Sequence, residues 1–173
     1  MAGRPRIYET VNTMQGEYLP DGHYTFDVVS KHLNRDFASE KEMCDFIEDR
    51  IEIFCAEVLG VTYKSHKREY RLASSRIHGS HSCRLDFFII TTDNQNICIE
   101  CKNPFSQYEN LSAIGQLLAY KQIGAMLEIP IHRMVLVTTK VDLLTTLSIR
   151  NTELGIELIG IDKAITVILK EAK

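Results

Sequence analysis

Three ionisable residues stand in an otherwise apolar stretch: Asp86 within Arg-Leu-Asp-Phe-Phe-Ile-Ile, and Glu100 and Lys102 within Ile-Cys-Ile-Glu-Cys-Lys. Both runs are rich in β-branched and aromatic residues, and the Thr92-Asp93-Asn94-Gln95-Asn96 between them is turn chemistry, so the stretch reads as a β-hairpin. Side chains alternate across a strand, which puts Arg84, Asp86, Phe88 and Ile90 on one face of the first strand and Cys98, Glu100 and Lys102 on one face of the second. With Thr91 paired to Ile97 across a five-residue loop, Asp86 faces Lys102 and lies diagonal to Glu100. Diagonal neighbours are roughly 7–8 Å apart, near enough for two carboxylates to share a cation. Mg²⁺ is the hard cation that such oxygen donors suit. Charges on an apolar hairpin are costly unless they are paired or used.

The elements that must hold these residues follow from periodicity. Ser39-Glu40-Lys41-Glu42 forms a capping box that opens a long helix, with Ser39 as the cap and Glu42 reaching back. Met43, Phe46, Ile47, Ile51, Phe54, Val58 and Leu59 repeat at helical spacing until Gly60 stops them. At about 100° per residue Glu40 falls on the side of this stripe, whereas Glu42 and Glu48 lie off it. Val61 to Leu72 reads as an edge strand, followed by a loop through Gly79. After the hairpin, Asn103-Pro104 ends the second strand, because proline cannot continue a central ladder. Phe105 to Asn110 reads as a loop, with Phe105 and Tyr108 packed beneath it or stacked on a base. A second long helix is expected from Leu111 to Glu128, ending before Pro130. Its Gln116 and Tyr120, four apart, project together with Ala113, Ile123 and Leu127. A glutamine on such a stripe needs a polar partner, in a catalytic site or in the core. Met134 to Thr138 reads as a buried strand parallel to a hairpin strand, since a helix joins them. Val141 to Arg150 reads as a helix, Ile156 to Ile161 as a strand, and Asp162 caps a last helix.

Asp86, a spacer and Glu100-Cys101-Lys102 resemble the D…(D/E)-x-K signature of the PD-(D/E)XK nuclease superfamily. Gln116-Leu117-Leu118-Ala119-Tyr120 on the following helix is similar to the Q-x-x-x-Y motif of recombination-type helicase–nuclease domains. The name-giving proline is replaced by Leu85. The resemblance covers about Ser39 to Thr139. It implies an α/β, restriction-endonuclease-like αβββαβ core, a central mixed sheet flanked by helices, and that order coincides with the one periodicity suggests. It also implies a metal-dependent nuclease. Asp86, Glu100 and the backbone carbonyl of Cys101 would hold Mg²⁺, for which Mn²⁺ may substitute, and Lys102 would orient or deprotonate the attacking water. Gln116 joins the catalytic candidates. Glu40 is the candidate for a further metal ligand, the alternative being that it complements the helix dipole. A non-catalytic nucleic-acid-binding or assembly module on the same fold is the rival reading.

The chain has 173 residues, 45% hydrophobic and 25% charged, which fits one ordinary globular domain, read as 39–173 behind an N-terminal arm, 1–38. No apolar run approaches the roughly 20 residues of a membrane helix. Five cysteines, at 44, 55, 83, 98 and 101, are odd in number and mostly lie in apolar elements, which fits free thiols in a reducing, cytoplasmic setting. The net charge of −3 conceals a basic stretch: Lys64, Lys67, Arg68, Arg71, Arg76 and Arg84 against Glu69 alone. Such a patch, joined by Tyr120, is placed to meet a phosphate backbone, DNA ahead of RNA. The bland alternative is an edge strand charged against aggregation. A homodimer is the candidate assembly. Gly3-Arg4-Pro5-Arg6 resembles a minor-groove arm, but a frayed basic tail is the simpler reading. The histidines and cysteine of His78-Gly79-Ser80-His81-Ser82-Cys83 are too crowded for a structural zinc site, and no second ligand pair follows.

Overall fold

The computed structural model describes residues 37–72 and 83–161. The expectations for the basic arm, for a short helix over 26–33, for Arg76, for the histidine segment 78–82 and for a helix after Asp162 lie outside those residues.

The capping box forms. Ser39 Oγ accepts the Glu42 amide at 3.1 Å, and Glu42 Oε2 accepts the Ala38 amide at 2.6 Å, one residue before the cap. These bonds satisfy amides that the first turn of a helix leaves without partners. The helix α1, Glu40–Glu48, is shorter than the single helix expected. The chain breaks at Asp49 and Arg50, resumes as the turn α2, Ile51–Ile53, and runs into a π-helical turn, Phe54–Val58, whose Phe54, Cys55 and Val58 are all buried. Gly60, at φ +63°, stops it, and the Val61 amide returns to the Cys55 carbonyl at 2.9 Å. Glycine suits that left-handed ending because it has no Cβ.

Five strands form one mixed sheet in the order β1-β2-β3-β4-β5: β1 Tyr63–Leu72, β2 Cys83–Thr91, β3 Asn96–Lys102, β4 Arg133–Thr138 and β5 Ile156–Gly160. β1 is an edge strand antiparallel to β2, β2 is antiparallel to β3, and β4 runs parallel to both β3 and β5. Between β3 and β4 runs α3, Gln107–Met126, and between β4 and β5 runs α4, Leu143–Asn151, capped by Asp142. The α/β fold is therefore a five-stranded mixed sheet flanked by helices, with the αβββαβ order. Leu85, Phe87, Ile89, Ile97, Ile99, Val135, Leu136 and Val137 form its buried centre, and Met43, Ile47 and Leu117 pack on it from the helices.

Two expectations are corrected. The hairpin loop has three residues rather than five: the Asn94 amide bonds the Thr91 carbonyl at 2.9 Å, and the Thr91 amide bonds the Gln95 carbonyl at 3.0 Å. Asn94 takes φ +60°, the left-handed position that follows a type I turn in three-residue hairpins. Ile97 consequently pairs with Ile89 rather than Thr91. A shift of two residues preserves the faces, since side chains alternate with period two. The second correction concerns 107–110, expected as loop but forming the first turn of α3. Ser106 and Glu109 make a reciprocal capping box there.

Candidate active site

The register that joins Phe87 to Ile99 would, one step further, set Asp86 directly against Glu100. The ladder stops at that point. The Cys101 amide, next in line for Leu85, instead donates to Asp86 Oδ2 at 2.7 Å. On the other side of β2, Glu69, level with Asp86 in the β1 register, has φ +49°. Asp86 thus sits where regular pairing lapses on both flanks of its strand.

Around it the sheet faces two helices. Tyr120 of α3 reaches the face of Glu100: its hydroxyl lies 2.8 Å from the Arg84 carbonyl and 3.2 Å from Glu100 Oε2, a single hydrogen for two acceptors. Glu100 Oε1 accepts from Lys102 Nζ at 2.7 Å, and Lys102 Nζ lies 3.6 Å from Glu40 Oε2 at the start of α1. Glu100 is buried, at 3% exposure, while Asp86, Lys102 and Glu40 are half-buried. The strand end that carries Lys102 is fixed from behind. Its carbonyl accepts the Thr139 amide at 3.1 Å, and the Asn103 side chain bonds Thr139 Oγ1 at 2.7 Å and the Phe37 carbonyl at 2.9 Å.

Burial governs the electrostatics. It pushes the Glu100 carboxyl up to about 7; the charge on Asp86 adds to this, and Lys102 and Tyr120 oppose it. Asp86 is also raised, by burial first, against the pull of the Cys101 amide and Lys102. Glu40 is raised by burial, with Lys102 opposing. For Lys102 burial works downward, but Glu100, then Glu40 and Asp86, outweigh it and hold the ammonium above its usual range. The cluster is short of positive charge.

The expected site residues divide into those brought together and those that are not. Asp86, Glu100, Lys102, Glu40, Tyr120 and the Cys101 backbone meet at the broken ladder. Gln116 stands one turn before Tyr120 but is exposed, so it is not a buried stripe residue that requires a partner. Phe105 and Tyr108 do not pack under a loop: they are 78% and 69% exposed. Of the basic stretch, Lys64, Lys67 and Arg71 are exposed along β1. Lys64 bonds Asn94 Oδ1 at 2.7 Å, and Lys67 lies 4.6 Å from the centre of the Tyr70 ring. Arg71 pairs directly with Arg84 across β1 and β2, a like-charge pair that disfavours the bare sheet. Glu69, 3.4 Å from Arg84, offsets part of that repulsion. Arg68 differs from its neighbours. It is clamped to α1 by Asp45 at 2.5 Å and Glu48 at 2.6 Å, with its guanidinium over Phe87.

The sequence marks Cys44 only as a free thiol, not as a site residue. Its sulfur, the Cys101 sulfur and an Asp86 oxygen all lie within 4.8 Å of one another, and among the described residues no other trio of ligand-type side chains is so close. The signal was available: Cys44 follows Glu40 by four, so the two share a side of α1.

The chain matches no protein-family model and no curated protein. Among solved structures it is similar to a repair endonuclease from Pyrococcus abyssi, with 19% identity and a TM-score of 0.49 over 73% of this chain and 48% of that one. It is also similar to EndoMS in a complex with double-stranded DNA, with 18% identity and a TM-score of 0.47 over 72% of this chain and 46% of that one. The chain spans about half the length of the structures it matches, and at these values the likeness carries no residue's role across to it.

Proposed function

We propose that this protein is a metal-dependent nuclease that hydrolyses phosphodiester bonds, DNA ahead of RNA. The observation that carries the reading is the convergence of Glu100 and Glu40 on Lys102, at 2.7 and 3.6 Å, beside Asp86 where the β2–β3 ladder stops. Their donors are hard carboxylate oxygens, which suits Mg²⁺ or Mn²⁺. Asp86 and Glu100, with the Cys101 carbonyl, are the residues to hold such an ion, and Glu40 the additional one. When bound, the ion supplies an acidified water and neutralises charge on the phosphate.

The protein's own residues do the rest. With a cation on Glu100 competing for that carboxylate, the Lys102 ammonium would be free to orient the attacking water and to offset negative charge on the phosphoryl oxygens. Tyr120 and the Cys101 amide hold Glu100 and Asp86 in place. Lys64, Lys67, Arg71 and Arg84 attract the backbone of the strand, and the opposed Arg71 and Arg84 gain most from a phosphate between them. Arg68 anchors β1 to α1 and is withdrawn from the patch. Gln116, exposed one turn before Tyr120, is a candidate to assist catalysis from the substrate side.

The test is cleavage of a panel of linear, nicked, branched and single-stranded DNA, with matching RNA, by protein stripped of metal and then given Mg²⁺ or Mn²⁺. Cleavage is expected only with the added ion. Robust cleavage in chelator ends the reading. So does failure of Mn²⁺ to bind at Asp86 and Glu100, which would leave the trio as a buried ion pair.

A further inference from the structure

Asp86 belongs by strand alternation to the face that carries Glu100, the face that Tyr120 covers. The Cys101 side chain belongs to the opposite face, against which α1 packs. Because the ladder is open at this point, the Asp86 carboxylate is nonetheless within 4.8 Å of both the Cys101 and the Cys44 sulfurs. We propose that Cys44, Asp86 and Cys101 form a site for a thiophilic cation of the Zn²⁺ class, which takes Asp86 away from the hard-cation site. The second clause rests on the nuclease reading; the first does not.

The geometry and the donor set agree. Zn²⁺ binds thiolate at about 2.3 Å and carboxylate at about 2.0–2.2 Å, so the ligand atoms of a tetrahedral site stand roughly 3.6–3.8 Å apart. Closing from at most 4.8 Å takes side-chain movements of no more than about 1 Å. Two sulfurs and one carboxylate select a soft or borderline cation over Mg²⁺, which the three carboxylates next door favour. Cys44 and Cys101 are buried, and Asp86 is half-buried, so the carboxylate is the doorway. Burial, and then the neighbouring Cys44, raise the Cys101 thiol well above its ordinary range, so a thiolate there needs a cation to hold it. Binding is balanced as two thiols plus one divalent ion giving a dithiolate complex and two protons released to buffer. The fourth position is left to water. One carboxylate cannot serve both ions in their own geometries, so the two sites compete.

The experiment uses the reduced, metal-free full chain and Cd²⁺, whose thiolate charge-transfer absorption reports sulfur ligation that Zn²⁺ would leave dark. One Cd²⁺ per chain is expected, with two protons released. The absorption should fall in Cys44→Ala and in Cys101→Ala, while Cys55→Ala leaves it unchanged. Absorption that persists in Cys44→Ala, or fails to develop in the parent, overturns the site. Cys44 lies on α1 outside the sheet, so this variant decides the matter even if Cys101→Ala does not fold. Mn²⁺ bound to the parent, read by its paramagnetic resonance signal, should be lost at about one equivalent of Zn²⁺, whereas Cys44→Ala, left with direct exchange at the carboxylates alone, should need a clear excess. Mn²⁺ that stays on the parent beside bound Zn²⁺ overturns the competition. If Mn²⁺ binds neither protein, the nuclease reading fails, and the Cd²⁺ absorption alone judges the thiolate site.

Discussion

The Cys101 amide donates to Asp86 Oδ2 at 2.7 Å, in place of the ladder bond that the β2–β3 register would have sent to Leu85. A hydrogen bond to a charged acceptor contributes about 1.5–3 kcal/mol, against about 1 for an ordinary backbone pair. The strand opening is therefore stabilised by the acid it exposes, and the acid is held still by the backbone of the residue between Glu100 and Lys102.

Asp86→Asn, Glu100→Gln and Lys102→Ala should each lower cleavage by about 10²–10⁴-fold, the usual cost of losing a positioned catalytic group. Nucleic-acid affinity, measured in chelator, should change little. Melting curves belong beside the rates, because removing one partner of a buried charge pair also destabilises. A variant that cuts as fast as the parent removes that residue from the mechanism.

Tyr120→Phe should cost about 1–2 kcal/mol of stability, since the Arg84 carbonyl and Glu100 Oε2 both lose the hydroxyl. Its second effect separates a positioning role from simple packing. Without the donor, the Glu100 carboxyl should titrate higher in metal-free protein, and half-saturation with Mn²⁺ should require more ion. Equal Mn²⁺ affinity in parent and variant would leave Tyr120 a core residue only.

Stability of the metal-free protein should fall as pH rises between the ordinary glutamate range and about 7. Glu100 is raised in the folded state, so over that interval the native protein binds the extra proton, and stability decreases with pH. The stabilisation is complete below the unfolded value and gone above the folded one. Its size is on the order of 1–3 kcal/mol. Glu100→Gln should flatten this part of the melting profile, and an unchanged slope would show that another group carries it.

Changing Lys64, Lys67 and Arg71 together to Ser should flatten the dependence of log affinity on log salt by up to about 2.7, at about 0.9 per phosphate contact on duplex DNA. Arg68→Ser should barely move that slope and should instead lower the melting temperature, because its partners are Asp45 and Glu48. If Arg68→Ser flattens the slope as much as the triple variant, the division of the basic stretch is wrong.

Much of this protein was legible in its residues because local rules acted there without rivals. Period-two alternation marked both hairpin strands, and Ser39 and Glu42 announced the start of α1. The helix between β3 and β4 forced a parallel pair, and the face shared by Asp86 and Glu100 across the hairpin survived a register error because that error was even. Other features depended on distance in space. The length of the hairpin loop was settled by Asn94 entering the left-handed region, which a run of five turn-forming residues leaves open. Arg68 looked like its basic neighbours until α1 brought Asp45 and Glu48 against β1. Phe105 and Tyr108 resembled core residues, yet they stand exposed on either side of the Ser106 cap of α3, Phe105 just before it and Tyr108 on the first turn. The nearness of Cys44 to Cys101 and Asp86 joins residues up to 57 positions apart through a gap in strand pairing, and no local pattern encodes such a gap. Types and spacing determined which groups could do chemistry; tertiary packing decided which of them share a place.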